Sequence, residues 1–238
     1  MSEINWPRVF YIGDSTVQCN RIDTWPQCGM GQVFSLFLRP EIRVFNHARN
    51  GRSTKSFYEE DLWLPVENAL RPGDFLLIQF GHNDEKSEDA TRYTTPAQYA
   101  DNLSAYAQAA LAKGALPVLI TPLTRRQFVG DMLTQSHGAY PDAVRHLAAA
   151  EHLPLIDLTA ASRALVERLG EPASRALYMF FPAGQYANYP EGKQDNTHLR
   201  SLGAVRFCGL VAGSLRGFGS PYADVLLPGS PKQTSFLL

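Results

Sequence analysis

Five short apolar runs punctuate the chain: RVFYIG (8–13), IRVFNH (42–47), DFLLIQF (74–80), ALPVLIT (115–121) and LPLID (153–157). Each is close to continuous, the pattern of strands buried on both faces. Between them the apolar period lengthens. Over 96–112, Tyr99, Leu103, Tyr106 and Ala110 recur at i, i+4, i+7 and i+11 behind Thr95-Pro96, an N-cap followed by proline at the first helical position, and Gly114 marks the end. A stripe of Ala204, Cys208, Val211 and Leu215 predicts a helix over 203–215, and PDAVRHLAAAEH predicts another over 141–152. Because crossovers between parallel strands are right-handed, this alternation implies an α/β fold, a parallel five-stranded sheet with helices on both faces; the strand order expected for it is 2-1-3-4-5.

Length and composition narrow the picture. The 238 residues suit one domain, expected over 1–217, since no linker, repeat or low-complexity tract divides them. From 218 to 238 the chain turns rich in Gly, Pro and Ser and reads as a tail, draped on the domain or partly disordered. Apolar residues make up 45% and charged residues 19%, which fits a folded globular chain rather than a disordered or coiled-coil one. With 22 basic against 23 acidic residues and no basic block, nucleic acid is not an expected partner. No stretch of about 18 apolar residues occurs and the segment MSEINWPRVF lacks the features of a signal peptide, so no membrane association and a cytoplasmic location are expected. Cys19, Cys28 and Cys208 form no CxxC pair, so reduced thiols are expected, with a Cys19–Cys28 bridge left open under oxidation.

In open α/β sheets ligands bind beyond the carboxyl ends of the strands, where the strand order reverses. The loops there are small and polar: Gly13-Asp14-Ser15-Thr16 after the first strand, NHARNGRS (46–53) after the second, and GHND (81–84) after the third. With the order 2-1-3 they are neighbours, so Ser15, the Asn50-Gly51 turn and Asn83 should face one another. Acyl transfer needs such a set. A hydroxyl attacking a carbonyl creates an oxyanion, and the N–H groups of Ser15 and Gly51 with the Asn83 amide are the donors to hold it. The hydroxyl also needs a base oriented by a carboxylate. Of the six histidines only His198 meets that need: DNTHL places Asp195 three residues before it, at the mouth of the 203–215 helix, where one turn holds both. Taken singly, Ser15 and Asp195 read first as helix caps, Asn83 as a turn former and Gly51 as a positive-φ position. His82, His146 and His152 read as structural, with His82 also placed to support the site from behind. What favours the reactive reading is the joint occurrence.

Together, Gly13-Asp14-Ser15, Gly51, Gly81-His82-Asn83-Asp84 and Asp195-Asn196-Thr197-His198 resemble the four blocks of the SGNH (GDSL-type) hydrolases. GDST in place of GDSL, NGRSTKSF (50–57), QFGHND (79–84), TPLTRRQF (121–128) and DNTHL resemble its rhamnogalacturonan acetylesterase-like branch. The resemblance spans about residues 8–215. It implies a flavodoxin-like three-layer sandwich and removal of acetyl groups from plant cell-wall carbohydrate, without metal or cofactor. The loop CGMGQ (28–32) departs from the pattern: Met30 stands where many relatives have tryptophan, so Met30 is expected among the substrate contacts.

The mechanism implied is attack by Ser15 on an acetyl ester, with His198 as base and then acid, Asp195 orienting it, and water releasing the acyl group. Asp14 chiefly organises the Ser15 turn, with a substrate contact also assigned to it. Arg125 and Arg126, in the loop after the fourth strand, are candidates to meet a uronic acid carboxylate, with a solvated or structural role for both as the equal alternative. This favours acetylated pectin-type oligosaccharides as substrate, with xylan or mannan oligosaccharides, or small lipase- or thioesterase-type esters, as the broader alternative. A flavodoxin-like cofactor-binding module is the rival of another class, but no phosphate-cradling glycine motif is present. A carboxylate-pair glycosidase recruiting Asp14, Asp84 or Asp195 would not require Ser15, Gly51 and Asn83 together.

Overall fold

The structure, a computed structural model, describes residues 6–229. Its central sheet contains β1 (Arg8–Gly13), β2 (Arg43–Asn46), β3 (Phe75–Gln79) and β4 (Leu116–Ile120). After a hairpin of β5 (Phe128–Val129) and β6 (Met132–Leu133), β7 (Leu155–Ile156) completes it. All pairings in the sheet are parallel and the order is β2-β1-β3-β4-β7, the expected 2-1-3-4-5 for its five members. The last strand is shorter than the apolar run predicts. Pro154 has no N–H to give the ladder, so the strand starts after it.

Strict alternation divides the core in two. Val9 and Tyr11 of β1, Phe75 and Leu77 of β3, and Val118 and Ile120 of β4 face α1 (Met30–Val33), α6 (Leu158–Ser174) and α7 (Ser201–Gly217). Their neighbours Phe10, Ile12, Leu76, Ile78 and Leu119 face α2 (Thr54–Glu59), α3 (Leu64–Ala69), α4 (Pro96–Ala112) and α5 (Tyr140–Ala150). Each fully buried side chain of this kind contributes about 1.5–3 kcal/mol. The predicted stripe of α4 is buried along its length, and its start is a capping box. Thr95 Oγ1 accepts from Gln98 N at 3.3 Å while Gln98 Oε1 accepts from Thr95 N at 2.9 Å. The α6 helix, not predicted, buries Leu158, Leu165 and Val166 behind an Asp157 cap that accepts from Ala160 N at 3.1 Å.

Outside the sheet, β8 (Tyr178–Phe181) and β9 (Lys193–Leu199) form an antiparallel hairpin just before α7. The described part of the tail, 218–229, packs at the amino ends of the strands, the end opposite the polar loops. There Val225 and Leu226 are buried, Arg39 N donates to Val225 O at 3.0 Å, and the Tyr222 ring lies edge-on to Phe75. Residues 230–238, the rest of the expected tail, lie outside the described residues. Among the described residues no helix is long and apolar enough to cross a membrane.

Candidate active site

The loop after β1 is built around a buried carboxylate. A Cβ on Gly13 would lie 2.4 Å from the Gln79 carbonyl oxygen, so only glycine lets β1 and β3 approach this closely. Asp14 Oδ1 then accepts from Thr16 N at 2.9 Å and Thr16 Oγ1 at 2.8 Å, and Val17 N and Gln18 N close onto the Asp14 carbonyl. No helix follows Ser15, so its hydroxyl caps nothing and is delivered to the cleft.

The loop after β3 is tied to this one by His82, whose Nδ1 lies 3.2 Å from Asp14 Oδ2. Burial alone would raise the Asp14 carboxyl, but the facing imidazole and the bonds from His82 and Thr16 outweigh it and hold it down to about 2. Burial is also the main cause that lowers His82 to about 4, so near neutral pH a neutral imidazole donates Nδ1–H to an ionised Asp14. The next two residues reach the loop after β2. Asn83 Nδ2 donates to Arg52 O at 3.0 Å, and Asp84 Oδ1 accepts from Thr54 N at 3.0 Å, Thr54 Oγ1 at 2.5 Å and Thr94 Oγ1 at 3.1 Å. Burial dominates at Asp84 and, despite those bonds, pushes it up to about 7.

Asp195 and His198 come from β9. Tyr178 pairs with Leu199 and Phe180 with Gln194, so two residue steps on β8 span five on β9, and three residues are extra. The bulge folds on Asp195: Oδ1 accepts from Thr197 N at 2.8 Å and His198 N at 2.9 Å, and Oδ2 lies 2.7 Å from His198 Nδ1. Burial would raise this carboxyl as well. The hydrogen bond and charge of His198, with the two N–H groups, hold it well below the carboxylate range. The predicted turn at the mouth of α7 is thus a bulged strand, because an aspartate that binds the N–H groups two and three residues on makes its own turn without a helix. Across the cleft His198 Nε2 stands 3.0 Å from Ser15 Oγ.

The three loops and the bulge enclose an open cleft of about 580 Å³ whose wall includes Ser15, Gly51, Asn83, Asp195 and His198. Gly51 has φ +74°, and among the described residues neither its N–H nor that of Ser15 has an acceptor. The arrangement is that of a serine, an imidazole and a carboxylate in hydrogen-bonded series, with donors gathered beside the hydroxyl.

A model of the GDSL-like lipase/acylhydrolase family matches residues 11–204. The chain belongs to that family. Membership makes it a carboxylic ester hydrolase and sets aside the cofactor-binding module and the glycosidase. The rhamnogalacturonan acetylesterase RhgT of Bacillus subtilis is 38% identical over 227 residues, covering 95% of this chain and 97% of that protein. A probable rhamnogalacturonan acetylesterase of the same organism, YesY, is 34% identical, covering 92% and 97%. Among solved structures, the YxiM protein of Bacillus subtilis superposes with a TM-score of 0.76 at 24% identity, over 90% of this chain and 57% of that longer one. The acetylxylan esterase Axe2 of Geobacillus stearothermophilus gives 0.61 at 18% identity, over 91% and 95%. Both share the fold.

Three residues expected to touch substrate in this GDSL-family cleft do not line it. Asp14 is fully buried beneath Ser15, with both carboxylate oxygens taken by Thr16 and His82. Met30 is fully buried in the core at the start of α1, because the 28–32 loop turns inward to pack against the sheet. Arg126 is 2% exposed and points away, into an ion pair with Glu171. Arg125 does line the cleft, but its guanidinium is engaged by Glu85, Ser136 O and His82 O. The adjacent Lys86, which sequence reasoning missed, lines the cleft half-buried, and its ammonium makes no hydrogen bond or ion pair among the described residues. Gln27 and Thr197 also line the wall. Neither Gln27 nor Lys86 belongs to a recognisable motif, so only the folded chain reveals them. Cys19, Cys28 and Cys208 are free thiols, and among the described residues no group of three or more His, Cys, Asp or Glu is placed to hold a metal ion.

Proposed function

We propose that the protein is a serine esterase that removes O-acetyl groups from plant cell-wall carbohydrate, with acetylated pectin-type oligosaccharides of the rhamnogalacturonan class as its substrate. The observation that carries this reading is the continuous series Asp195 Oδ2, His198 Nδ1, His198 Nε2 and Ser15 Oγ, with steps of 2.7 and 3.0 Å. His198 takes the Ser15 proton as Oγ forms a bond to the acetyl carbon, and Asp195 fixes the tautomer that leaves Nε2 free to accept it. The oxyanion is received by the N–H groups of Ser15 and Gly51 and by the second amide hydrogen of Asn83, each such donor being worth roughly 10²–10³ in rate. His198 then returns the proton to the sugar oxygen, leaving acetyl-Ser15. Water attacks with the same imidazole as base, releasing acetate.

The substrate class is supported by the names of the two relatives above 30% identity and by the cationic wall of the cleft. Lys86, with its ammonium unengaged, is the residue suited to a uronate carboxylate, and Arg125 adds positive field beside it. Acetate release should be measured side by side on acetylated rhamnogalacturonan, xylan and mannan oligosaccharides, with Ser15→Ala as control. The expected result is preference for the first and loss of nearly all activity in the variant. Equal rates on all three would overturn the substrate assignment, and an active Ser15→Ala enzyme would overturn the mechanism.

A further inference from the structure

The bulge that carries Asp195 and His198 stands outside the β8–β9 ladder, so something else has to fix it. From behind, away from the cleft, Arg126 binds it among the described residues. Arg126 N donates to Asn196 O at 2.8 Å and Arg126 Nη1 donates to Asn196 Oδ1 at 2.7 Å. Asn196 follows Asp195 directly, and among the described residues it is bonded to no other group.

Arg126 is itself held on every side. Its Nε donates to Ser174 Oγ at 3.0 Å, its Nη2 donates to Glu171 O at 2.7 Å and pairs with the Glu171 carboxylate, and the guanidinium packs on the rings of Phe180 and Phe128 at 4.9 and 5.5 Å. A planar group with five fixed donors, desolvated and stacked, has a single orientation available to it. Phe180 is also the residue whose partner, Gln194, begins the bulge. The clamp and the bulge therefore share one foundation in α6 and β8.

We propose that Arg126 is a positioning residue for the hydrolysis: acting through Asn196, it holds the bulge so that Asp195 and His198 stay in line with Ser15. The inference rests on the triad reading above. It also gives the arginine a role different from the substrate contact that its place in the sequence suggests, since it never reaches the cleft. A displacement of about 1 Å at a reacting group can cost 10²-fold in rate, so a loosened bulge should lower kcat and leave KM unaffected.

The test uses the full-length protein with p-nitrophenyl acetate, rates being taken per mole of folded enzyme well below each variant's Tm. Four variants are compared: Asn196→Ala, Arg126→Lys, Arg126→Met and Asn196→Ala combined with Arg126→Met. Arg126→Lys keeps a cation beside Glu171 but cannot serve Asn196, Ser174 and Glu171 at once, so it separates charge burial from alignment. The expected result is kcat lowered several-fold in Asn196→Ala and at least about tenfold in Arg126→Lys and Arg126→Met, KM within twofold of wild type, and a double variant no slower than Arg126→Met alone, as coupled residues behave. If Arg126→Met fails to fold, Asn196→Ala and Arg126→Lys still decide. Wild-type kcat in both, or a raised KM at unchanged kcat, would overturn the clamp while an inactive Ser15→Ala upheld the triad. An active Ser15→Ala enzyme would instead overturn the triad reading on which the clamp depends.

Discussion

Asn83 shows how little of a side chain the fold consumes and how much it leaves for chemistry. One amide hydrogen goes to Arg52 O, which fixes the plane of the group, and the other is left for the cleft. Asn83→Ala is therefore expected to lower kcat by roughly 10²–10³ with little change in KM, and to reduce stability by about 1 kcal/mol, since Arg52 O loses its donor. Steady-state kinetics and denaturant melts check the two parts separately. Lys86→Met is expected to lower kcat/KM about tenfold on carboxylate-bearing oligosaccharides and to spare neutral esters, as loss of one charge-assisted hydrogen bond implies. Equal losses on both substrates would remove Lys86 from the recognition of charge. At this scale the ordered motifs are what singled out Ser15, Gly51, Asn83, Asp195 and His198, the first three in loops that follow strands of the sheet and the last two in the β9 bulge, all lining one cleft. The substrate contacts assigned to Met30, Asp14 and Arg126 failed for another reason: a polar or irregular stretch does not disclose which of its side chains turn inward.

Among the elements, the sheet was readable because continuous apolar runs have few other homes than a strand, although β2, expected to be buried on both faces, lies at the sheet edge with Arg43 and Phe45 exposed. The bulge of β9 was not. Nothing in KQDNTHL announces three extra residues, which follow from the pairing of Tyr178 and Phe180 with Leu199 and Gln194. The α6 helix was obscured by Gly170, with φ +70°, and by Pro172, which kink it near its end. Two substitutions separate element stability from chemistry. Thr95→Ala removes the α4 cap and is expected to cost about 1 kcal/mol, read as a lower Tm with unchanged kcat. Gly13→Ala forces a Cβ to within 2.4 Å of the Gln79 carbonyl, so β1 must part from β3 just where Ser15 is delivered. Both Tm and kcat should then fall, and a variant with either one intact would show that the approach of the two strands is not what places the hydroxyl.

For the whole molecule, two buried groups behind the site pull stability in opposite directions with pH. His82, lowered from 6.5 to about 4, binds a proton in the unfolded chain before it does in the folded one, so between those values stability rises with pH. Asp84, raised from 3.8 to about 7, keeps its proton longer in the folded chain, so stability falls as pH rises over that range. Each slope is about 1.4 kcal/mol per pH unit, and over the shared window they offset one another. Asp84→Asn, which keeps the acceptor for Thr54 and Thr94, is therefore expected to steepen the rise of stability between pH 4 and 6.5 relative to wild type. Parallel curves for the two proteins in chemical denaturation would refute the balance. The overall architecture was foreseeable because parallel strands joined by right-handed crossovers admit few arrangements, and the one adopted brings three loops and a bulge to one end of the sheet. The claim that these parts make Ser15 a nucleophile is tested most directly by fluorophosphonate labelling followed by peptide mass spectrometry. Stoichiometric modification of Ser15, absent in Ser15→Ala and strongly slowed in His198→Ala, is the expected result; an active enzyme labelled at another residue, or equally fast without His198, would contradict it.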